Sequence, residues 1–261
     1  MADKFFSNFP EIQYQLADGK IVYIKDFFRK SKIEQESVKS LVEYELYSLT
    51  DGERPDTLAT KMYGNGNLHW TFFLVNDIEN YYDWHKDVGT FERYIDKKYP
   101  GQYAIGTTTT EIVSAKSSTA DTANKFLLGE KVTSVSAEGR IITVEPEKYR
   151  IAIETVSGSF VSGETITGKV STRTFTPSSV INHRDGVKYY ENADGLRKNH
   201  AAVGYTSKTI YNCEYDLNES KRHIKVISPN IINNIVRRFE KVMSGHFHKK
   251  SDNGHIYYLG S

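Results

Sequence analysis

The segment Glu53–Ile78, ERPDTLATKMYGNGNLHWTFFLVNDI, decides the fold. It reads as two short helices joined by a turn. Pro55 suits a first helical position or the residue just outside it, because the N–H it lacks would have no intrahelical acceptor there. Asp56 and Thr57 are helix-capping types, whose side-chain oxygens accept from the orphan N–H groups of a first turn. Leu58, Ala59, Met62 and Tyr63 recur at the spacing of one buried helical face. Gly64-Asn65-Gly66-Asn67 stops that helix and turns the chain. Leu68, Trp70, Phe73 and Leu74 open a second helix too apolar for a surface. Asn76-Asp77 ends it and Ile78 seals the end. The expected core of the helix pair is Leu58, Met62, Tyr63, Trp70, Leu74 and Ile78.

Just upstream, Leu41–Leu49 alternates Tyr44 and Leu46 with Glu43, Glu45 and Tyr47, the pattern of a half-buried strand. Strand, acidic-Gly loop (Thr50-Asp51-Gly52), helix, Gly turn, helix and Asn-x-Ile together resemble the LysM module. That resemblance implies a helix pair on a two-stranded sheet at about residues 41–80, and glycan binding in many members. Two features depart from it. Glu53-Arg54-Pro55 splits Gly52 from Asp56-Thr57-Leu58, and the second helix is heavy with Trp70, Phe72 and Phe73. Glu53-Arg54-Pro55, Ala59, Tyr63-Gly64, His69-Trp70 and Asn76-Asp77-Ile78 are similar to a narrower family. It is the LysM-like wedge subunit of contractile-tailed (T-even-like) phage baseplates, the gene 53 product family. The resemblance implies a structural protein whose LysM-like unit serves protein contacts.

At 261 residues the chain is long enough for one large domain or two small ones. A net charge of +1 argues against a partner held by bulk electrostatics, so neither nucleic acid nor a membrane surface is expected. No apolar run approaches the ~20 residues of a membrane span. The start, MADKFFSNFPEI, is too short and polar for a secretory signal. The single Cys213 excludes an intrachain disulfide and fits synthesis in a reducing compartment; the resemblance to the phage family implies that this is the host cytoplasm.

Near the amino terminus, Asp18-Gly19 is a hairpin turn between Ile12–Leu16 and Ile21–Ile24, with Phe27 and Phe28 expected in the core. Phe9-Pro10 is extended, and the Phe-Pro-x-Ile start again resembles the wedge family. Val88 or Phe91 starts a helix with Phe91, Tyr94, Ile95 and Tyr99 on one face, ended by Pro100-Gly101. From Gln102 the texture becomes Thr- and Ser-rich. A repeat follows, Phe126-x-x-Gly129-Glu130-x-Val132-Thr133 and Phe160-x-x-Gly163-Glu164-x-Ile166-Thr167. In each copy the Gly turns the chain, the Phe packs inward and the branched residue restarts a strand. Ile141–Val144 and Ile151–Ile153 add strands between them. A small antiparallel barrel or sandwich is expected. Ser178–Ala202 reads as loop. Near the carboxyl end, Ile224–Ile227 is a strand, Ser228 caps a helix begun by Pro229, and Gly245 stops it. Residues 211–245 again resemble the wedge family.

The fold expected is α+β, a LysM-like helix-pair-on-sheet core with a C-terminal helix and an inserted antiparallel β module. The divisions expected are 1–101, an insertion at 102–180, and 181–261 returning to the first part. On the C-terminal helix Ile231, Ile235, Val236, Phe239 and Met243 form a wide apolar arc, expected to be a protein interface. Its width implies burial on two sides, one supplied by its own domain and the other by a neighbouring subunit; the competing expectation is that the N-terminal helices cover all of it.

No catalytic constellation stands out. His246-Phe247-His248 with His255 lacks a third or fourth ligand type nearby, so no metal and no cofactor is expected. Glu43, Glu45 and Glu53 include no evident acid–nucleophile pair, and Glu53 reads as a partner for Arg54 or for helix-start N–H groups. His69 reads as a packed helical residue. The function expected is a virion tail component in the baseplate, not an enzyme. It would act with other wedge proteins, in several copies around a sixfold axis, in tail assembly and host attachment. The alternative is a LysM-type peptidoglycan-binding protein or an accessory domain of a cell-wall hydrolase.

Overall fold

The computed structural model describes residues 9–26, 30–32, 44–108, 126–243 and 256–258. The expected core pair Phe27 and Phe28, the polar stretch Ser114–Asn124 and the histidines at 246, 248 and 255 lie outside the described residues. The chain divides into two compact units, Met1–Val88 with Glu219–Ser261, and Gly89–Asn218. The sequence boundaries at 101/102 and 180/181 follow composition. The contact boundaries fall where the chain leaves and re-enters the first unit.

The first unit begins with a hairpin, β1 (Glu11–Gln15) against β2 (Ile21–Lys25), turned by Gly19 at φ 83°. The Asp18 carboxylate accepts from the Lys20 N–H and fixes the turn. After β3 (Lys30–Lys32) and β4 (Tyr44–Ser48) come α1 (Pro55–Tyr63), a 3₁₀ turn (Gly66–His69) and α2 (Trp70–Val75). Pro55 takes the first helical position of α1 as expected, but Arg54 is the cap residue, and Thr57 turns its hydroxyl back onto the Arg54 carbonyl. Proline fixes the helix start one step earlier than the capping side chains suggest. Gly64 ends α1 in the left-handed region at φ 71°. Asp77 ends α2 at φ 54°, with the Ile78 N–H reaching back to the Phe73 carbonyl. That is a Schellman closure, and its usual apolar contact is supplied by Ile78 against the core.

The second unit holds α3 (Val88–Lys98), then β5 (Gln102–Ile105), β6 (Lys131–Thr133), β7 (Ala137–Glu145), β8 (Arg150–Gly158), β9 (Ile166–Gly168), β10 (Thr174–Phe175) and β11 (Ser179–Asn182). The strands form one antiparallel sheet in the order β10-β9-β6-β7-β8-β5-β11. Its two outermost strands are joined by residues 176–178 alone. Four backbone steps reach at most ~14 Å, whereas the outer strands of a flat seven-stranded sheet would stand ~29 Å apart. The sheet is therefore curled into a half-barrel. Its hollow is filled by Phe126, Val132, Ile151, Ile153, Phe160 and Ile166, all buried.

Both repeats lie in this wall, with Gly129 and Gly163 at φ 78° and 84°. Their strands pair with each other, Val132 with Gly168 and Thr133 with Thr167. Thr133 and Thr167 are equivalent in the repeat, so a local twofold passes between them. The glutamates obey it. Glu164 accepts from the Ser136 N–H, and Glu130 accepts from the equivalent Val170 N–H at 3.2 Å. Glu130 is buried, taking three further bonds from Leu127 N–H, Ser171 N–H and Ser171 hydroxyl.

Residues 178–202, expected as loop, instead carry β11, β12 (Val187–Glu191) and β13 (Arg197–Lys198); β14 (Thr206–Thr209) completes a three-stranded sheet. The turn formers there punctuate short strands; Asn192 takes backbone N–H groups of Asp194 and Leu196. A helix, α4 (Ile210–Ser220), closes the unit.

The chain re-enters the first unit through β15 (His223–Ile227), which pairs antiparallel with β4. Then come α5 (Ile232–Met243) and β16 (Ile256–Tyr258), the last parallel to β3. α5 starts later than expected, because 228–231 form a turn, with the Ile231 N–H on the Ser228 carbonyl. The fold is mixed α+β: among the described residues one unit holds the helix pair, α5 and three two-stranded sheets, and the other the curled antiparallel sheet, a three-stranded sheet, α3 and α4. Among the described residues no helix is long and apolar enough to cross a membrane.

Candidate assembly surface

The residues of the opening segment are placed by the fold on two sides of the helix pair. Leu58, Met62 and Ile78 face one core cluster with Leu49, Phe72 and Trp84. Trp70 and Leu74 face a second, with Phe9, Ile232 and Phe239, and Tyr63 packs against both clusters. Trp70 is 6% exposed and its ring lies 4.3 Å from that of Phe239, which is 1% exposed. Ile235, Val236 and Met243 are buried in the same cluster and Ile231 packs at its border. Among the described residues the wide arc of α5 packs against this chain's own amino-terminal residues. Arg237, Arg238 and Lys241 mark its exposed side.

Polar side chains of the opening segment tie the unit together. The Tyr63 hydroxyl donates to the Ile227 carbonyl at 3.0 Å, and burial pushes its pKa up to about 12. Trp84 Nε1 donates to the Glu53 carbonyl at 2.9 Å. The Glu53 carboxylate accepts from Thr50 N–H, Thr50 hydroxyl and Tyr47 hydroxyl, with Lys61 beside it at 3.4 Å. Burial pushes that carboxyl up, but these donors outweigh it and hold the group below the usual range. Glu53 therefore clasps the β4–α1 loop; Arg54, its expected partner, pairs with Asp56 instead. At the first unit's re-entry point, Arg222 holds the Glu219 carboxyl down at about 2, with His85 Nε2 adding its share from 3.4 Å.

The second unit has its own clasps. Glu214 of α4 receives Lys98 and Tyr99 at 2.9 and 2.7 Å. Burial raises that carboxyl, yet these donors leave it lowered. Arg150 lies 3.9 Å above the Tyr103 ring and pairs with Glu145, which also accepts from the Tyr103 hydroxyl. Each of these charged groups is engaged by the fold.

A shallow polar hollow at the α1–3₁₀ turn is lined by Asp56, Thr57, Thr60, Gly66, Asn67 and His69. Asp56 is held by Arg54, and His69 Nδ1 lies 2.9 Å from the Gly66 carbonyl. His69 is occupied as a packed helical histidine. Among the described residues no group of three or more His, Cys, Asp or Glu could hold a metal ion.

Large apolar side chains are also exposed among the described residues. On the hairpin Tyr14, Leu16, Ile21 and Tyr23 are exposed, Tyr23 by 67%. Among the described residues these apolar side chains lie exposed on both faces of a two-stranded hairpin, an element marginal in water by itself. Leu46, Tyr81 and Tyr82 add to the exposed apolar surface of the same unit, and the second unit exposes Leu128, Val135, Val156 and Val170 at strand ends and turns. Sequence periodicity marked the hairpin but could not find these, because single exposed aliphatics carry no pattern.

Residues 4–106 match the family model described as base plate wedge protein 53. The matched span ends at β5, so the likeness at residues 211–245 stands on its motif alone. No curated protein matches the chain.

Proposed function

We propose that this chain, which carries a base plate wedge protein 53 region over residues 4–106, is a structural component of a contractile-tail baseplate wedge. It works through protein–protein contacts, in tail assembly and the host attachment machinery. The observation that carries the reading is how the motif residues are spent. Glu53, Tyr63, Trp70, Asn76 and Ile78 hold the first unit together, while exposed aromatic and aliphatic side chains are left for neighbours. The neighbours are other wedge proteins, in several copies around the sixfold tail axis. Ile231, Ile235, Val236, Phe239 and Met243 serve docking by seating α5, whose Arg237, Arg238 and Lys241 side meets a partner. The chain is not an enzyme and holds no cofactor. Its place is the virion tail, after synthesis in the host cytoplasm.

The LysM-like reading of the helix pair on the β4–β15 ribbon favours one alternative, peptidoglycan binding. Mass spectrometry of gradient-purified tails and co-sedimentation with purified peptidoglycan separate the two. The tail reading expects the chain at fixed stoichiometry in tails and in the supernatant of the wall assay. Absence from tails with retention on peptidoglycan would overturn it.

A further inference from the structure

In the ribbon of the first unit, β4 pairs Tyr47 with Ile224 and Glu45 with Val226, and the Leu49 N–H donates to the Arg222 carbonyl. Bonded pairs alternate along an antiparallel ladder. Residues 45, 47 and 49 therefore aim their backbone groups at β15, and Leu46 and Ser48 aim theirs outward. The same alternation turns the Lys225 backbone away from β4, and there the edge is sealed. The Lys225 N–H donates to Asn76 Oδ1 at 2.8 Å, and Asn76 Nδ2 donates to the Lys225 carbonyl at 2.9 Å. One amide side chain thus copies the hydrogen bonding of a third strand.

The β4 edge has no such seal among the described residues. Leu46 stands on it 82% exposed, on the strand face opposite Tyr47 and Leu49, which pack in the cluster of Leu58 and Phe72. Folded proteins blunt open edges with charge, proline or a covering segment, and an apolar residue does the reverse. Glu45, on the helix side, is exposed and makes no ion pair among the described residues.

We propose that an extended segment of another tail polypeptide adds to β4 as a third strand. It exchanges main-chain hydrogen bonds with Leu46 and Ser48, covers Leu46 with an apolar side chain and sets a lysine or arginine against Glu45. β4 itself, Tyr44–Ser48, has no basic residue, so a second copy of this chain would leave Glu45 unmatched. The inference rests on the tail-component reading above.

Amide exchange over Tyr44–Ser48, measured by mass spectrometry in the free chain and in purified tails, tests it. The Leu46 and Ser48 amides should exchange freely in the free chain and slow by about 100-fold or more in tails, with Glu45 and Tyr47 slow in both. Leu46→Pro removes only an outward N–H, as edge strands tolerate, and should cut incorporation into tails about tenfold; Leu46→Val should not. Fast exchange at Leu46 in tails that contain the chain would overturn the inference and leave the tail reading standing. So would protection that appears in the free chain as its concentration rises, which would assign the edge to a second copy. A chain absent from tails would overturn the tail reading, and the inference with it. Should the proline variant fail to fold, the exchange of the unaltered chain decides.

Discussion

The first unit closes its core across almost the whole length of the chain: Phe9, Trp70 and Phe239 meet in one cluster, and β4 finds its partner in β15. The second unit takes its half-barrel from one continuous run, beginning at β5 and ending at β11. The first seals itself with aromatic rings and single side chains reaching across, such as Tyr63 and Asn76. The second seals itself by repetition, with two glutamates performing the same task about a local twofold. A core assembled from distant segments is lost when any one of them is removed. A core assembled from one segment survives transplantation. The His85–Glu219 contact at 3.4 Å and the Lys221–Asp83 pair show that the chain leaves and re-enters the first unit at one place.

The largest test of this contrast is dissection. Gly89–Asn218 expressed alone should give a cooperative thermal melt, while residues 1–88 alone should give none, lacking β15 and α5. Joining 88 to 219 through a short Gly-Ser bridge should restore it. A cooperative melt from 1–88 by itself would break the contrast. Next in size, Phe239→Asp strands a charge beside Trp70 and should unfold the isolated chain. Trp70→Ala should cost ~3–5 kcal/mol in denaturant titration, and an unchanged midpoint would show that the ring is not packed as described.

A smaller effect separates the two repeat copies. Glu130→Ala orphans buried donors and should cost ~1–3 kcal/mol, whereas Glu164→Ala, at the half-buried equivalent, should lower the melting temperature less. Equal losses would mean that burial does not distinguish the copies. Smallest is a pH effect at the re-entry point. Glu219 has its folded pKa lowered from 4.5 to about 2. Its contribution is therefore present above the unfolded value and lost as pH falls towards 2. Exposure keeps that contribution small. Carbon-detected NMR titration should place the midpoint near 2, and Arg222→Gln should return it towards the ordinary value. A midpoint that ignores Arg222 would remove the clasp.

Much of the first unit was legible because its signals are local. Pro55, Gly64 and Asn76-Asp77-Ile78 each act on the backbone within a turn of themselves. The repeat was legible for the same reason, through Gly129 and Gly163. What the sequence hid was pairing at a distance. Nothing in Gln102–Ile105 announces that β5 will sit between β8 and β11. α4 was missed because Ile210–Ser220 buries Glu214 and Asn218 beside its apolar residues, which blurs a helical stripe. The arc on α5 was plain, but its cover was not, since amphipathicity names a buried face without naming what lies on it. The exposed edge at Leu46 was equally hidden, because β4 reads as a half-buried strand whichever edge is open.

The central claim is that this chain is a structural part of the tail, held by contacts between polypeptides. An electron-microscopy map of the intact particle tests it most directly. The account predicts density for the β4–β15 ribbon and its helix pair within the baseplate wedge, repeated around the tail axis, with other polypeptides against the hairpin and α5. A baseplate map at side-chain resolution with no density for this chain would contradict it.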